Sequence, residues 1–298
     1  FMSWVDLDET GKPISRDEGR LYTNWVDNVK AYGYKFAHRI LNAADYGAYT
    51  SRKRFFGIFA KSYLPIVWPK STHSKTGGGD LFGSLEKWKP VKDVLDFDDE
   101  GESIFNRKKP LSPKTLERIY AGLIKFVAGG KDAFLVKYNS MNQGGQLSSL
   151  DNPCPAVMTN PKQNVIACKW YLMNPQFSNA GGSVEKPCFT LIAKMDKKPP
   201  YLIATECGQL AIEIYETDSG PMRKIKEFMA LYGIVDIKMR MLKIIELKRI
   251  MGFPENYTLI GTQADQKKFI GNAVEVNIAR VLCEALVEEI VDELLKVA

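Results

Sequence analysis

The sequence predicts an α/β fold interrupted by an irregular, β-rich insertion. Three observations carry that expectation. Residues 1–60 alternate helix and strand signals, the following stretch turns polar and glycine-rich, and helical periodicity returns after Met241.

Taken in order, Ser15-Arg16-Asp17-Glu18 has the form of a capping box. It predicts a helix to about Ala31, with Leu21, Trp25 and Val29 on one face and Gly33 at its end. Tyr34 to Leu41 reads as a strand, Asp45-Tyr46-Gly47 as a turn, and Phe55 to Ala60 as a second, buried strand, together the late part of an α/β sheet. Residues 68–112, with Gly77-Gly78-Gly79 and an acidic run from Asp96 to Glu102, read as a linker or surface excursion. Ser112-Pro113 starts a helix that runs to about Ala128. Two glycine pairs, Gly144-Gly145 and Gly181-Gly182, each precede a Ser-x-acid-x-Pro-Cys frame, which predicts two similar loop-and-strand units. Met241 to Met251 reads as a helix stopped by Gly252-Phe253-Pro254, and Ala273 to about Val297 as the last helix.

Net charge is +6, unevenly spread: residues 275–298 hold six acidic side chains against two basic ones, which leaves +10 on the rest. A basic body suits a polyanionic partner. No apolar run is long enough to span a bilayer, and the first residues lack a secretory leader, so a cytoplasmic protein without membrane contact is expected. Five cysteines with no CxxC pair and two histidines predict neither a metal site nor disulfides.

Three segments carry a resemblance. Leu41-Asn42-Ala43-Ala44-Asp45-Tyr46-Gly47 with Ser51-Arg52-Lys53-Arg54 resembles the LNAxDYGVPQxRxR segment of DNA cytosine-5 methyltransferases. Arg240-x-Leu242, then Glu246, Arg249 and Met251-Gly252-Phe253-Pro254, are similar to that family's R-x-L and E-x-x-R-x-M/Q-G-F/Y-P blocks. Gly271-Asn272-Ala273-Val274 resembles its closing GN(S/A)V block, and Thr190-Leu191 its recognition-domain Thr-Leu dipeptide. Tyr49 and Thr50 depart from the family's Pro and Gln.

The resemblance implies the late part of a Rossmann-like, S-adenosyl-L-methionine-dependent catalytic sheet (residues 1–60), an inserted target-recognition domain (61–239) and returning helices (240–298). It implies double-stranded DNA as partner and a bacterial or phage-encoded enzyme acting on a flipped cytosine, with a thiolate adding at C6 before methylation at C5. Arg54 matches the arginine expected at the cytosine O2, where anionic character develops. Arg52 is expected to face away from Arg54 and to organise backbone or phosphate. Gly271, Asn272 and Ala273 are expected beside the cofactor at the entrance to the last helix, with Asn272 suited to capping it. Glu246 and Arg249 are expected to form a structural pair or cap that supports the recognition domain. Asn142, Gln143, Gln146, Thr190 and Leu191 are the candidate DNA readers, and Lys162, Lys169 and Lys194 the candidate phosphate contacts.

The family's F-x-G-x-G cofactor loop, its Pro-Cys nucleophile block and Glu-Asn-Val do not occur in these residues. Pro153-Cys154 and Pro187-Cys188 fall after Leu41-Asn42 rather than before it, so both cysteines are expected to be buried and structural. The chain is therefore expected to be inactive alone and to work with an amino-terminal methyltransferase portion; the alternative is a non-catalytic, sequence-specific DNA-binding module.

Overall fold

The computed structural model describes residues 4–15, 18–80, 83–128, 136–138, 162–164, 169–174, 181–196, 199–208 and 212–297. In chain order the elements are α1 (Arg20–Ala31), β1 (Tyr34–Asn42), β2 (Lys53–Lys61), β3 (His73–Ser74), β4 (Gly78–Asp80), β5 (Gly83–Lys87), β6 (Glu102–Ser103) and α2 (Pro113–Gly122). There follow β7 (Val136–Tyr138), β8 (Lys162–Asn164), β9 (Lys169–Met173), β10 (Gly182–Ser183), β11 (Tyr201–Cys207) and α3 (Gly220–Tyr232). The last are β12 (Ile234–Met241), α4 (Ile244–Ile250), α5 (Gln263–Asn272) and α6 (Val276–Val297). Two compact units result: Phe1–Gly47, Arg52–Lys87 and Val276–Ala298 form the first, and Ala48–Ser51 with Trp88–Glu275 the second. Residues 61–87 join the first unit because β3 packs beside the turn Ala43–Tyr46, and 240–275 join the second because α4 and α5 bury their apolar faces there.

In the first unit, β1 and β2 are an antiparallel hairpin with Leu41 opposite Arg54 and Asn42 opposite Lys53. No residue of β2 is buried, so the expectation of a buried strand is corrected: its phenylalanines are half-covered by rings from α1, with Tyr22 against Phe55 and Trp25 against Phe59. The buried side of α1 is also shifted by one residue. Val26 is its buried residue, whereas Leu21 and Trp25 are 42% and 45% exposed. The helix starts at Arg20 after Gly19 in the left-handed region (φ 56°); Ser15 still accepts the Glu18 N–H at 3.3 Å, but that box lies outside the helix.

The second unit is built on a five-stranded sheet in the order β10-β9-β11-β12-β6, with every pair antiparallel. Side chains alternate across a strand, and here both faces are covered. Tyr171, Met173, Ile203, Ile237 and Met239 point into one core with Leu116, Ile119 and Ile225 of α2 and α3. Leu172 and Leu202 point the other way, against Val184, Cys188, Leu191, Leu247 and Ile270. Gly122 lets α2 approach: a Cβ there would lie 2.4 Å from the Tyr171 ring, whose hydroxyl donates to the Ile119 carbonyl at 3.0 Å.

Ser112 caps α2 as expected, and the helix continues to Ala128 with π-helical bonding. Met241 ends strand β12 rather than opening a helix, and the supposed surface excursion is anchored: Asp96, Asp99 and Glu100 pair with Lys243, Arg240 and Lys238. The expected last helix is α6, and a further helix that was not expected, α5, precedes it. Thr262 and Asp265 cap α5 reciprocally.

Candidate active site

Asn42 ends β1 in extended conformation, and its side-chain oxygen accepts the Ala44 N–H at 3.4 Å, which starts the short 3-10 turn Ala43–Tyr46. Gly47 closes that turn at φ 81°, a conformation that favours glycine. A Cβ on Gly47 would lie 2.9 Å from Cε1 of the buried His73. The Thr72 N–H donates to the Asp45 carbonyl at 3.0 Å, and the Tyr46 hydroxyl to the Pro69 carbonyl at 3.3 Å. His73 Nδ1 meets the Thr72 hydroxyl at 2.8 Å, and its Nε2 stands 3.3 Å from the Glu86 carboxylate. The Ala43 N–H donates to the Arg52 carbonyl at 3.0 Å, tying the turn to the segment that carries the two arginines.

Arg52 is 2% exposed and lies just before β2; burial, with a smaller contribution from the charge of Arg54, pushes its guanidinium down to about 10. Arg54 is half-buried on β2, its pKa is lowered by burial, and it donates to the Lys53 carbonyl at 2.7 Å. Arg52 precedes β2, so the alternation of a strand does not set its direction relative to Arg54. Two cationic groups are thus concentrated where water is partly excluded, an arrangement that strengthens any interaction with developing negative charge.

Tyr49, Thr50 and Ser51 belong to the second unit. The Cys188 N–H donates to the Tyr49 carbonyl at 2.6 Å, and the Ser51 N–H to the Cys188 carbonyl at 2.8 Å. Thr50 is fully buried and its hydroxyl donates to the Phe189 carbonyl at 3.4 Å. Cys188 is 1% exposed and burial pushes its thiol far up, the opposite of an activated nucleophile. Cys154 lies outside the described residues.

Gly271 and Asn272 occupy the last turn of α5, not the entrance to the last helix, so Asn272 is not its cap. Gly271 is buried against the chain itself: a Cβ would lie 2.2 Å from the Ile192 carbonyl oxygen. That bare face is filled by protein backbone. Asn272 is exposed and Ala273, which leaves the helix at φ −61°, ψ 152°, is half-buried, so these two have surface to offer a ligand. Leu191 is 1% exposed in the core, which corrects its assignment as a DNA-contacting side chain; Thr190 beside it is half-buried. Gly181 is required by the sheet, since a Cβ would lie 1.9 Å from the Leu172 carbonyl oxygen. Asn142, Gln143 and Gln146, and the side chains of Lys162, Lys169 and Lys194, lie outside the described residues. Glu246 pairs with Arg240 rather than Arg249, which instead reaches Glu255.

The capping motif of α5 was readable as Thr262-x-x-Asp265. His73 was not: its place depends on β3 pairing with β5, and no local pattern signals that. Among the described residues no group of His, Cys, Asp and Glu could hold a metal ion, and no helix is long and apolar enough to cross a membrane.

The family model for C-5 cytosine-specific DNA methylase matches residues 12–288, and the chain belongs to that family. It is similar to DNA (cytosine-5)-methyltransferase 2 of Arabidopsis thaliana, 26% identical over 97% of this chain and 20% of the relative. The chain therefore spans about a fifth of that relative's length. Similar solved structures include the Entamoeba histolytica methyltransferase EhMeth, at 15% identity and a TM-score of 0.40 over 90% of this chain and 58% of that one. The S. pombe Dnmt2 methyltransferase is similar at 13% identity and a TM-score of 0.41 over 91% of this chain and 64% of that one.

Proposed function

We propose that this chain is the DNA-recognition and closing portion of a cytosine-5 methyltransferase that methylates C5 of a cytosine swung out of duplex DNA. The observation that supports this most is the pairing of a buried Arg52 with a half-buried Arg54 beside a turn fixed by Asn42, Gly47 and His73. In this reading Arg54 donates to the cytosine O2 as negative charge builds on the ring, and Arg52 holds the segment's backbone or a phosphate. S-adenosyl-L-methionine supplies the methyl group when bound; the exposed Asn272 and the half-buried Ala273 fit such a ligand and would hold it, with Gly271 seating their helix. Residues 61–239 read the DNA, through Asn142, Gln143, Gln146 and Thr190, with Leu191 anchoring Thr190 from the core. The nucleophilic cysteine and the glycine-rich cofactor loop come from an amino-terminal methyltransferase portion.

The test is transfer of a labelled methyl group from S-adenosylmethionine to duplex DNA. The chain alone gives none; adding a polypeptide that carries the cofactor loop and Pro-Cys block restores it. Arg54→Ala lowers the restored rate by roughly 10²–10³-fold, as for loss of one charge-stabilising donor. Transfer by the chain alone, or full restored activity with Arg54→Ala, overturns the reading.

A further inference from the structure

The second Ser-x-acid-x-Pro-Cys frame has no part in the chemistry above, yet it is held from both sides. On one side the Val91 N–H donates to the Lys186 carbonyl and the Lys92 N–H to the Val184 carbonyl, both at 2.9 Å, and Lys92 Nζ meets the Glu185 carboxylate at 2.5 Å. On the other, Cys188 exchanges backbone hydrogen bonds with Tyr49 and Ser51 at 2.6 and 2.8 Å, forming a parallel bridge opposite Thr50. The Thr50 hydroxyl adds a bond to the next carbonyl, that of Phe189, and Lys89 Nζ stands 5.6 Å from the Tyr49 ring centre. Tyr49 and Thr50, the two positions that depart from the resembled segment, share this attachment with Ser51. Thr190 and Leu191 follow the bridge directly on one strand of it; Arg52 and Arg54 follow directly on the other.

We propose that the Thr50–Cys188 bridge couples DNA reading at Thr190 to the placement of Arg52 and Arg54, with Thr50 and Ser51 as positioning residues. The inference rests on the roles proposed above for Arg54 and Thr190. Backbone pairs of this kind fix register, so displacement of one strand is passed to the other rather than absorbed. Cys188 serves here as an anchor: its side chain is packed with Leu191, Leu202 and Leu247, so the segment it belongs to cannot slide without opening the core.

The test follows amide hydrogen exchange in the full chain. The Ala43 N–H, bonded to the Arg52 carbonyl, reports on the arginine segment, and the Leu172 and Leu202 amides report on global stability. Thr50→Val removes the hydroxyl and keeps the shape; Ala43 exchange should rise about fivefold, the equivalent of one lost hydrogen bond, with Leu172 and Leu202 unchanged. Thr50→Ser should restore the native rate, and Ser51→Pro should exceed Thr50→Val. Faster Cys188 exchange with Ala43 unaffected overturns the coupling. A second measurement uses the unmodified chain, so that no variant need fold. On titration with duplex DNA, Cys188 and Ala43 should slow together; slowing at Cys188 alone overturns the coupling. If the chain binds no DNA, the proposed DNA-reading function fails, while the Thr50 series still decides whether the bridge positions the arginines.

Discussion

Arg240 and Glu246 form a two-pronged ion pair, Nη1 to Oε2 and Nη2 to Oε1, each at 2.9 Å, with the carboxylate wholly buried. Glu246 also accepts the backbone N–H groups of Asp96 at 2.8 Å and Lys243 at 2.7 Å, and Arg240 donates to the carbonyls of Asp96, Asp99 and Met241. Burial opposes the charge on Arg240, but the hydrogen bonds and charge of Glu246, with the charges of Asp99 and Asp96, hold its pKa above the usual arginine value. One carboxylate thereby joins a strand end, a helix start and an acidic loop.

Removing one member leaves a buried charge uncompensated, so Glu246→Ala should cost about 3–5 kcal/mol. The double replacement Arg240→Met with Glu246→Leu should cost much less, because neither charge is then stranded. Urea denaturation of the two variants checks both statements; equal losses for the single and double variants would contradict them.

Gly271→Ala and Asn272→Ala should separate packing from ligand binding. The first forces a methyl group onto the Ile192 carbonyl and should destabilise by about 1–3 kcal/mol. The second removes an exposed amide and should change stability by less than about 0.5 kcal/mol. Calorimetry measures the stabilities, and S-adenosylmethionine affinity of the reconstituted enzyme should fall for Asn272→Ala.

Gly47→Ala should cost about 1–2 kcal/mol from the left-handed backbone alone, and more from contact with His73. In a His73→Ala background only the backbone part should remain. A double-mutant cycle by denaturation reads the difference as a coupling energy, and additivity would refute the contact.

Arg52 predicts an unusual pH response. Its folded pKa, about 10, lies below the ordinary arginine value, so the folded state holds this proton less tightly than the unfolded chain does. Its burial therefore costs stability below about pH 10, and that cost is relieved as pH rises from there towards the ordinary arginine value. Arg52→Met should abolish this rise in stability above about pH 10 and lower methyl transfer by the reconstituted enzyme. An unchanged alkaline rise in melting temperature in the variant would contradict this.

Legibility in the sequence followed locality. The hairpin strands and the Ser112 cap were readable because their signals lie within a few residues. The buried side of α1 was misread because Leu21-Tyr22 and Trp25-Val26 offer two apolar stripes one residue apart, and only the sheet below decides between them. Met241 looked helical from its neighbours, yet pairing with Tyr201 makes it a strand residue. Of the site, Arg52 and Arg54 were visible as a motif, whereas His73 and the Cys188 bridge depend on partners remote in sequence.

The order of synthesis adds a constraint that the finished fold conceals. Strand β6, at Glu102–Ser103, pairs with β12 at Met239 and Lys238, and the first unit gathers segments from near both ends of the sequence. Contacts so distant along the chain form late. A ribosome-bound chain must hold the apolar faces of β9 and α2 without their covering strands until β11 and β12 emerge. During that interval it is a natural client for a chaperone, and a premature stop between β10 and β12 would leave an aggregation-prone product rather than a smaller folded one.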